Sequence, residues 1–243
     1  MIIVPVSGGK DSQCCLELAI QTGDIVEGLF NDTGWEHPST YAHIKWMQKY
    51  YGVKIHKTKG KTVPEIVLEK GMFPDSMTRF CTRDLKIRPA KRFYEAHAVK
   101  LGHGFEVWVG IRTGESNKRA RAYKDKISTE LYPPHEYMSE FPKKLEKLGV
   151  YIRLPIVDWT TEEVFKQLDG RENRLYRKGQ SRVGCFPCLV SGDANKKRDF
   201  ESGAFGRKRW VLVQEMEQAI GKTVWTSKKG QEENNSGCSF CEI

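Results

Sequence analysis

The chain has 243 residues, 29% charged and 39% hydrophobic, enough for one large domain or one domain with an appendage and too apolar for a disordered chain. Its formal charge of +9 favours polyanionic partners, either nucleic acid or phosphorylated small molecules. No apolar run approaches the roughly 18 residues of a membrane span, and functional-looking residues begin at position 7, where a secretory leader would lie; the expected location is cytoplasmic.

Ile2-Ile3-Val4-Pro5-Val6 reads as a short buried strand and Cys14 to Ile20 as a helix, with Ser7-Gly8-Gly9-Lys10-Asp11-Ser12 between them. Strand, glycine-rich turn and helix N-terminus together suit phosphate. The glycines permit a tight bend, and the first-turn N–H groups and the positive end of the helix dipole face an anion. Lys10 adds a point charge, Ser7 and Ser12 add hydroxyls, and Asp11 orders the loop or assists Mg²⁺. The spacing is not that of the P-loop, which has four residues between its glycines and ends in Gly-Lys-Ser/Thr.

A second strand, Ile25 to Phe30, ends in Asn31-Asp32-Thr33-Gly34. Ser39 to Tyr51 is predicted helical, Val53 to Thr58 a third strand, and Lys86 to Lys100 a basic amphipathic helix with Pro89 near its start. Glu106 to Ile111 and Tyr151 to Pro155 complete five strands. Strands alternating with helices imply an α/β fold: a Rossmann-like five-stranded parallel sheet with flanking helices. Ligands bind such sheets at the carboxyl ends of the strands, so Ser7, Asp32 and Arg112, each following a strand, are expected to share one crevice. Between Gly114 and Gly149 no strand pattern appears, and the stretch reads as a basic surface excursion. Thr160-Thr161-Glu162-Glu163 opens a capped helix. The expected division is a nucleotide-binding domain over 1–170 and a loop-rich, cysteine-containing extension over 171–243 that packs on it.

Seven cysteines in a chain read as cytoplasmic argue for metal binding or catalysis rather than disulfides. Cys185-Phe186-Pro187-Cys188 and Cys238-Ser239-Phe240-Cys241 are two CxxC pairs, and Cys81 is a further thiol. Two CxxC pairs suit structural zinc, but the 49 residues between them greatly exceed the usual ribbon spacing. Cys14 and Cys15, inside the first helix, read as small core residues. Basic clusters at Lys118-Arg119-Ala120-Arg121, Lys196-Lys197-Arg198 and Arg207-Lys208-Arg209 read either as solvated surface or as part of a polyanion site.

These motifs together resemble a known family. Ser7 to Ser12 is similar to the PP-loop, SGGxDS, of ATP pyrophosphatases, which split ATP between its α and β phosphates. Asp32-Thr33-Gly34, Cys81-Thr82-Arg83-Asp84-Leu85-Lys86-Ile87-Arg88-Pro89, Gly110-Ile111-Arg112 with Glu115-Ser116 and Arg119, Leu154-Pro155-Ile156-Val157-Asp158-Trp159, and Leu175-Tyr176 with Gly184-Cys185 follow in the order of the phosphoadenosine phosphosulfate (PAPS) reductase family, within the adenine-nucleotide α-hydrolase superfamily. The resemblance implies that Arg112 and Arg119 neutralise phosphate or sulfate, the fork of an Arg matching those oxyanions, and that Asp32, Thr33 and Gly34 help bind the nucleotide. It also implies a 4Fe–4S cluster, with zinc as the alternative, on Cys81, Cys185, Cys188 and either Cys238 or Cys241. Arg83 and Lys86 then offset charge near Cys81, Trp35 and Trp159 line a base pocket or belong to the core, and His37 contacts ribose or substrate or lies plainly on the surface.

Within this family the intact SGGKDS and the CTRxLKIRP segment look closest to DNA phosphorothioation-type sulfurtransferases. A lysine at position 10 suits β and γ phosphates that leave as pyrophosphate. The leading expectation is an enzyme that uses ATP with Mg²⁺ to adenylate an acceptor, DNA or tRNA among the candidates, and transfers sulfur to it from a donor. The alternative is a PAPS or adenosine phosphosulfate (APS) reductase in which Cys238 or Cys241 attacks sulfur and a thiol donor such as thioredoxin completes the cycle. The Glu-Cys-Gly context of the reductases' C-terminal cysteine is absent from this sequence. A third reading is a redox-sensing or nucleic-acid-binding protein that does not turn over nucleotide.

Overall fold

Ile2, Ile3 and Val4 form a run with no polar face, as a strand buried on both sides requires. In the computed structural model, which describes residues 1–58 and 60–226, this run is β1 (Ile2–Pro5) at the centre of a five-stranded sheet. β2 (Val26–Asn31), β3 (Lys54–Thr58), β4 (Glu106–Trp108) and β5 (Tyr151–Arg153) add in the order β3-β2-β1-β4-β5, every neighbouring pair parallel. The predicted sheet is therefore present. Its order reverses between β1 and β4, which opens a crevice above their carboxyl ends.

Alternation along β1 divides the core. Ile2 and Val4 pack with α1 (Lys10–Gln21), α2 (Pro38–Tyr51) and α9 (Thr161–Leu168) through Leu16, Ala19, Ile44, Met47, Val164 and Leu168. Ile3 faces the other layer, where α5 (Arg88–Leu101) brings Ala90, Tyr94 and Ala98 onto Leu29, Val107 and Ile152. Cys14 and Cys15 lie in the first layer without exposure, as small core residues. The α9 start is the expected capping box, with Thr160 and Glu163 satisfying each other's backbone N–H.

Three stretches depart from the sequence reading. The helix expected from Lys86 begins earlier, as α4 (Phe80–Thr82), and runs through a π-helical turn (Arg83–Ile87) into α5. Pro89 looks like a helix start, but the widened turn carries the chain into it without a break. The fourth strand stops at Trp108, because Gly110 presses against α1. A Cβ there would lie 2.7 Å from the Asp11 carbonyl carbon.

The third departure is the segment from 114 to 149, which is not a surface excursion. It folds into α6 (Asn117–Tyr123), α7 (Pro134–Tyr137) and α8 (Lys143–Lys147), and Tyr123, Tyr137, Met138, Phe141 and Leu145 complete the α5-side core. Tyr132 exchanges two backbone hydrogen bonds of 2.8 Å with Ile152 and so covers the outer edge of β5. Tyr137, Phe141 and Leu145 keep a four-residue spacing, but Pro133, Pro134 and Pro142 break the stretch into helices too short to read as one periodic segment.

Residues 171–226 contribute α10 (Asp193–Glu201) and α11 (Gly203–Ile220). Leu189, Phe200, Val213 and Met216 share one core with Trp35, Phe80 and Leu85 and with Val63 and Val67 of α3 (Val63–Lys70). Among the described residues no helix is long and apolar enough to cross a membrane.

Burial pushes the Cys14 thiol up to about 12, with the nearby carboxylates of Glu17 and Asp11 adding to the shift. Above about pH 9 the unfolded chain releases this proton while the fold keeps it. Stability is therefore full below that pH and falls by about 1.4 kcal/mol per pH unit until the folded value is passed. Denaturant unfolding across this range is expected to show a shallower decline for Cys14→Ala than for the parent chain.

Candidate nucleotide and thiol site

The turn after β1 is built for close approach. Gly8 has φ +78°, and a Cβ on it would lie 2.7 Å from Thr40 Cγ2. Ser7 and Ser12, expected to offer hydroxyls to an anion, also staple the loop. Ser12 Oγ accepts from Ser7 N–H at 3.1 Å and donates to the Gly9 carbonyl at 3.0 Å, and Ser7 Oγ lies 3.2 Å from Ser12 Oγ.

Lys10, Asp11 and Arg112 are all buried and share one network. Asp11 Oδ2 accepts from Lys10 Nζ at 2.5 Å and Oδ1 accepts from Arg112 Nε at 2.5 Å, while Arg112 Nη1 donates to the Trp159 carbonyl at 3.2 Å. Two cations and one carboxylate leave a formal +1 at the switch point. The three residues line a cavity of about 640 Å³, within the usual range of ligand pockets. Of the two roles read for Asp11, the network supports ordering of the loop. Arg119 is buried and ion-paired with Glu115, and both also line the cavity.

A segment from 171 to 176 clamps this loop from outside. Arg171 grips Glu17 of α1 with two hydrogen bonds, 3.1 Å from Nε and 3.0 Å from Nη2. Asn173, fully buried, donates from Nδ2 to the Gly8 carbonyl at 3.2 Å, and Tyr176 Oη accepts from Lys10 N–H at 3.0 Å. Sequence reasoning noted Tyr176 only as part of a motif and missed Asn173. The one available signal was an amide-bearing residue just beyond the Asp169-Gly170 helix end.

Asp32, Thr33 and Gly34 follow β2 as expected, and Thr33 leads from this turn toward the thiols. Asp32 accepts from Tyr41 Oη at 2.6 Å and pairs with Lys57 at 2.5 Å. Burial would raise its carboxyl, yet Lys57, Tyr41 and the Gly34 N–H hold it below the ordinary value. Thr33 Oγ1 donates to the buried Glu36 at 2.6 Å and lies 3.6 Å from Cys185 Sγ. Trp35, wholly buried, donates from its indole to the Pro187 carbonyl at 2.8 Å, and its own carbonyl accepts from Phe186 N–H at 2.7 Å. Trp35 is thus core and scaffold rather than a base platform. His37 caps α2, its Nδ1 accepting from Ser39 N–H at 3.0 Å.

Cys81, Cys185 and Cys188 line a small chamber of about 30 Å³ with Thr33 and Lys86. Residues distant in sequence thus meet where the motifs place them. Cys185 and Cys188 also line the large cavity, together with Lys10 and Arg112. Burial, reinforced by Cys185 and Cys188, pushes the Cys81 thiol up to about 12, while Lys86 works against the shift. Burial also raises Cys185, again opposed by Lys86. Lys86 is buried in the chamber wall, whereas Arg83 turns away to Asp84, so of the two cations expected to offset charge only Lys86 takes that place. Arg79, which the sequence reading passed over, is partly buried, has Cys188 and Cys81 as its leading favourable charge partners, and keeps Nη1 buried without a hydrogen-bond partner among the described residues. Cys238 and Cys241 lie outside the described residues.

Residues 1–191 match the model of the phosphoadenosine phosphosulfate reductase domain. An uncharacterized protein of Methanocaldococcus jannaschii is 33% identical over 206 residues, covering 82% of this chain and 39% of its own length. An adenosine 5′-phosphosulfate reductase of Rhodococcus erythropolis is 28% identical over 190 residues, covering 75% of this chain and 66% of its own. The chain thus spans 39% to 66% of the length of these relatives. The crystal structure of PAPS reductase from Candida auris, a phosphate complex, superposes with a TM-score of 0.51 at 20% identity, covering 77% of this chain and 82% of that one; this is a likeness of fold. With a family model matched over most of its length, the chain belongs to the phosphoadenosine phosphosulfate reductase domain family.

Proposed function

We propose that this protein binds ATP in the large cavity, transfers its adenylyl group to an acceptor oxygen with release of pyrophosphate, and replaces that oxygen by sulfur. The observation that carries this reading is a single cavity lined by Lys10 and Arg112 and also by Cys185 and Cys188. Phosphate chemistry and sulfur chemistry then share one enclosure.

In the first step the acceptor oxygen attacks the α-phosphorus. The bond to the bridging oxygen breaks, and pyrophosphate leaves with its new charge. Lys10 and Arg112, held by Asp11, are preorganised for that charge and need no rearrangement. Asp11 holds these two cations in place, and Mg²⁺ bound with the nucleotide would supply further charge neutralisation. In the second step a hydrosulfide-level sulfur displaces AMP from the activated acceptor, so that one bond to sulfur forms as one to oxygen breaks.

Cys81, Cys185 and Cys188, with Cys238 or Cys241 as a fourth ligand, are the residues that would hold a 4Fe–4S cluster, which when bound supplies a site for sulfur. The donor set fits such a group: three thiols converge on one small chamber, and Lys86 and Arg79 place positive charge beside them. The match to APS reductase favours a second reading, sulfonucleotide reduction with Cys238 or Cys241 as nucleophile.

The deciding experiment is anaerobic purification of the full chain with iron and sulfide counts, followed by ATP and PAPS titrations and by assays with DNA, tRNA and sulfate offered separately. AMP and pyrophosphate formed with one acceptor support the proposal. Sulfite released from PAPS or APS with a thiol donor replaces it with the reductase reading, and nucleotide binding without turnover ends both.

Lys10→Ala is expected to slow pyrophosphate release by about 10² or more while leaving the far-ultraviolet dichroism intact. Serine at Cys81, Cys185 or Cys188 is expected to lower iron and sulfide per chain, and Cys15→Ser to leave both unchanged. Because thiols must lose protons to bind metal, Lys86→Met is expected to move the pH needed for half-maximal metal loading upward.

A further inference from the structure

Away from the crevice, a second cluster of ligand-type side chains sits on the α5 face of the β2–β3 edge. Glu27 of β2, His56 of β3 and His97 near the end of α5 bring one carboxylate oxygen and two ring nitrogens within 4.8 Å of one another. Glu27 Oε2 lies 2.7 Å from His56 Nε2 and 3.2 Å from His97 Nε2. His97 Nε2 is buried and, despite that approach, makes no hydrogen bond among the described residues. A buried ring nitrogen that faces a carboxylate without bonding to it is left with its lone pair or proton unsatisfied, which costs free energy.

The rings are held in place. Phe93 stacks on His97 with centroids 5.0 Å apart and an interplanar angle of 19°, and its centroid is 4.9 Å from that of His56. Phe105 meets the His97 ring edge-on at 5.7 Å. Exposed Lys54 and Lys100 are the cations acting on His97; being solvated, they are screened.

We propose that Glu27, His56 and His97 bind a zinc-class divalent ion, with water as the fourth ligand, separately from the thiol set. Two imidazoles and one carboxylate form a donor set that zinc takes in three-ligand sites, and imidazole suits the later first-row ions rather than Mg²⁺ or Ca²⁺. Bonds of about 2.0–2.1 Å to a tetrahedral ion place ligand atoms about 3.3 Å apart. The Glu27–His97 separation already matches, and the Glu27–His56 pair reaches it by a small side-chain rotation. The ion would join three elements and fasten β3, an edge strand, to its neighbour. His56 directly precedes Lys57, the partner of Asp32, so the clamp also steadies the strand that supports the turn after β2. Glu27 lies four residues before the strand end at Asn31, or about 13 Å along it, too far for this ion to take part in nucleotide chemistry.

The test uses the full chain, purified anaerobically. Zinc is titrated against a chromophoric chelator, and Co²⁺ is added as a spectroscopic probe. The parent chain is expected to bind one more zinc equivalent than His97→Ala and than Glu27→Gln, and its Co²⁺ spectrum to contain ligand-field bands without thiolate charge transfer that both variants lose. Each variant should weaken zinc at this site by at least about 10-fold and abolish a zinc-dependent rise in Tm, leaving iron and sulfide unchanged. Glu27→Gln keeps the side-chain shape, so it carries the test if His97→Ala fails to fold. Equal zinc equivalents in parent and folded variants, or Co²⁺ bands that persist in them, would reduce the cluster to a hydrogen-bonded pair with a neighbouring histidine and overturn the proposal.

Discussion

One carboxylate, that of Asp11, lies between two buried cations and ties the two halves of the sheet together. Lys10 begins α1 after β1, and Arg112 follows β4, on the far side of the switch point. A buried charge is costly unless it is paired, and removing one partner of a buried pair costs about 3–5 kcal/mol. Neither cation is therefore free to turn outward, and both remain aimed at the cavity. The glycine at 110, pressed to the Asp11 backbone, is what lets the two strand ends approach closely enough for the network to close.

A second constraint comes from the segment that follows α9. Arg171 and Asn173 grip α1 and the Gly8 carbonyl, and twelve to seventeen residues further on the same chain supplies Cys185 and Cys188 to both cavities. The turn after β2 completes the arrangement, with Thr33 against Cys185 and Trp35 bonded to the backbone at Pro187. Any movement of the CxxC loop is thus coupled to both strand-end turns.

The positive charge of the chain is distributed in a way that composition does not show. Lys196, in one of the basic clusters, is buried, donating to the Val224 carbonyl at 2.6 Å and pairing with Asp193 at 2.8 Å. Arg209, in another, lies 4.1 Å from the centroid of the Trp35 ring, and Arg119 is paired inside the cavity wall. Each cluster therefore gives at least one cation to the interior or its wall. Contiguity along the chain is thus a poor guide to which charges lie at the surface.

The sequence by itself determined the parallel α/β fold, the glycine turn after β1 and the capped helix at Thr160, while the grouping of Cys81 with Cys185 and Cys188 followed from the family resemblance. The first three are legible because each rests on short-range chemistry: runs of buried strand residues, a glycine at a positive φ, and cap residues at fixed spacing. Only the tertiary structure decided that Ser7 and Ser12 bond to the loop itself, that Lys86 rather than Arg83 faces the thiols, that residues 114–149 belong to the core, and that Arg79, Asn173 and the Glu27–His56–His97 cluster matter at all. The physical reason is that a side chain's partner is set by which group, near or distant in sequence, the folded backbone brings within about 3 Å of it, and no local periodicity encodes that meeting.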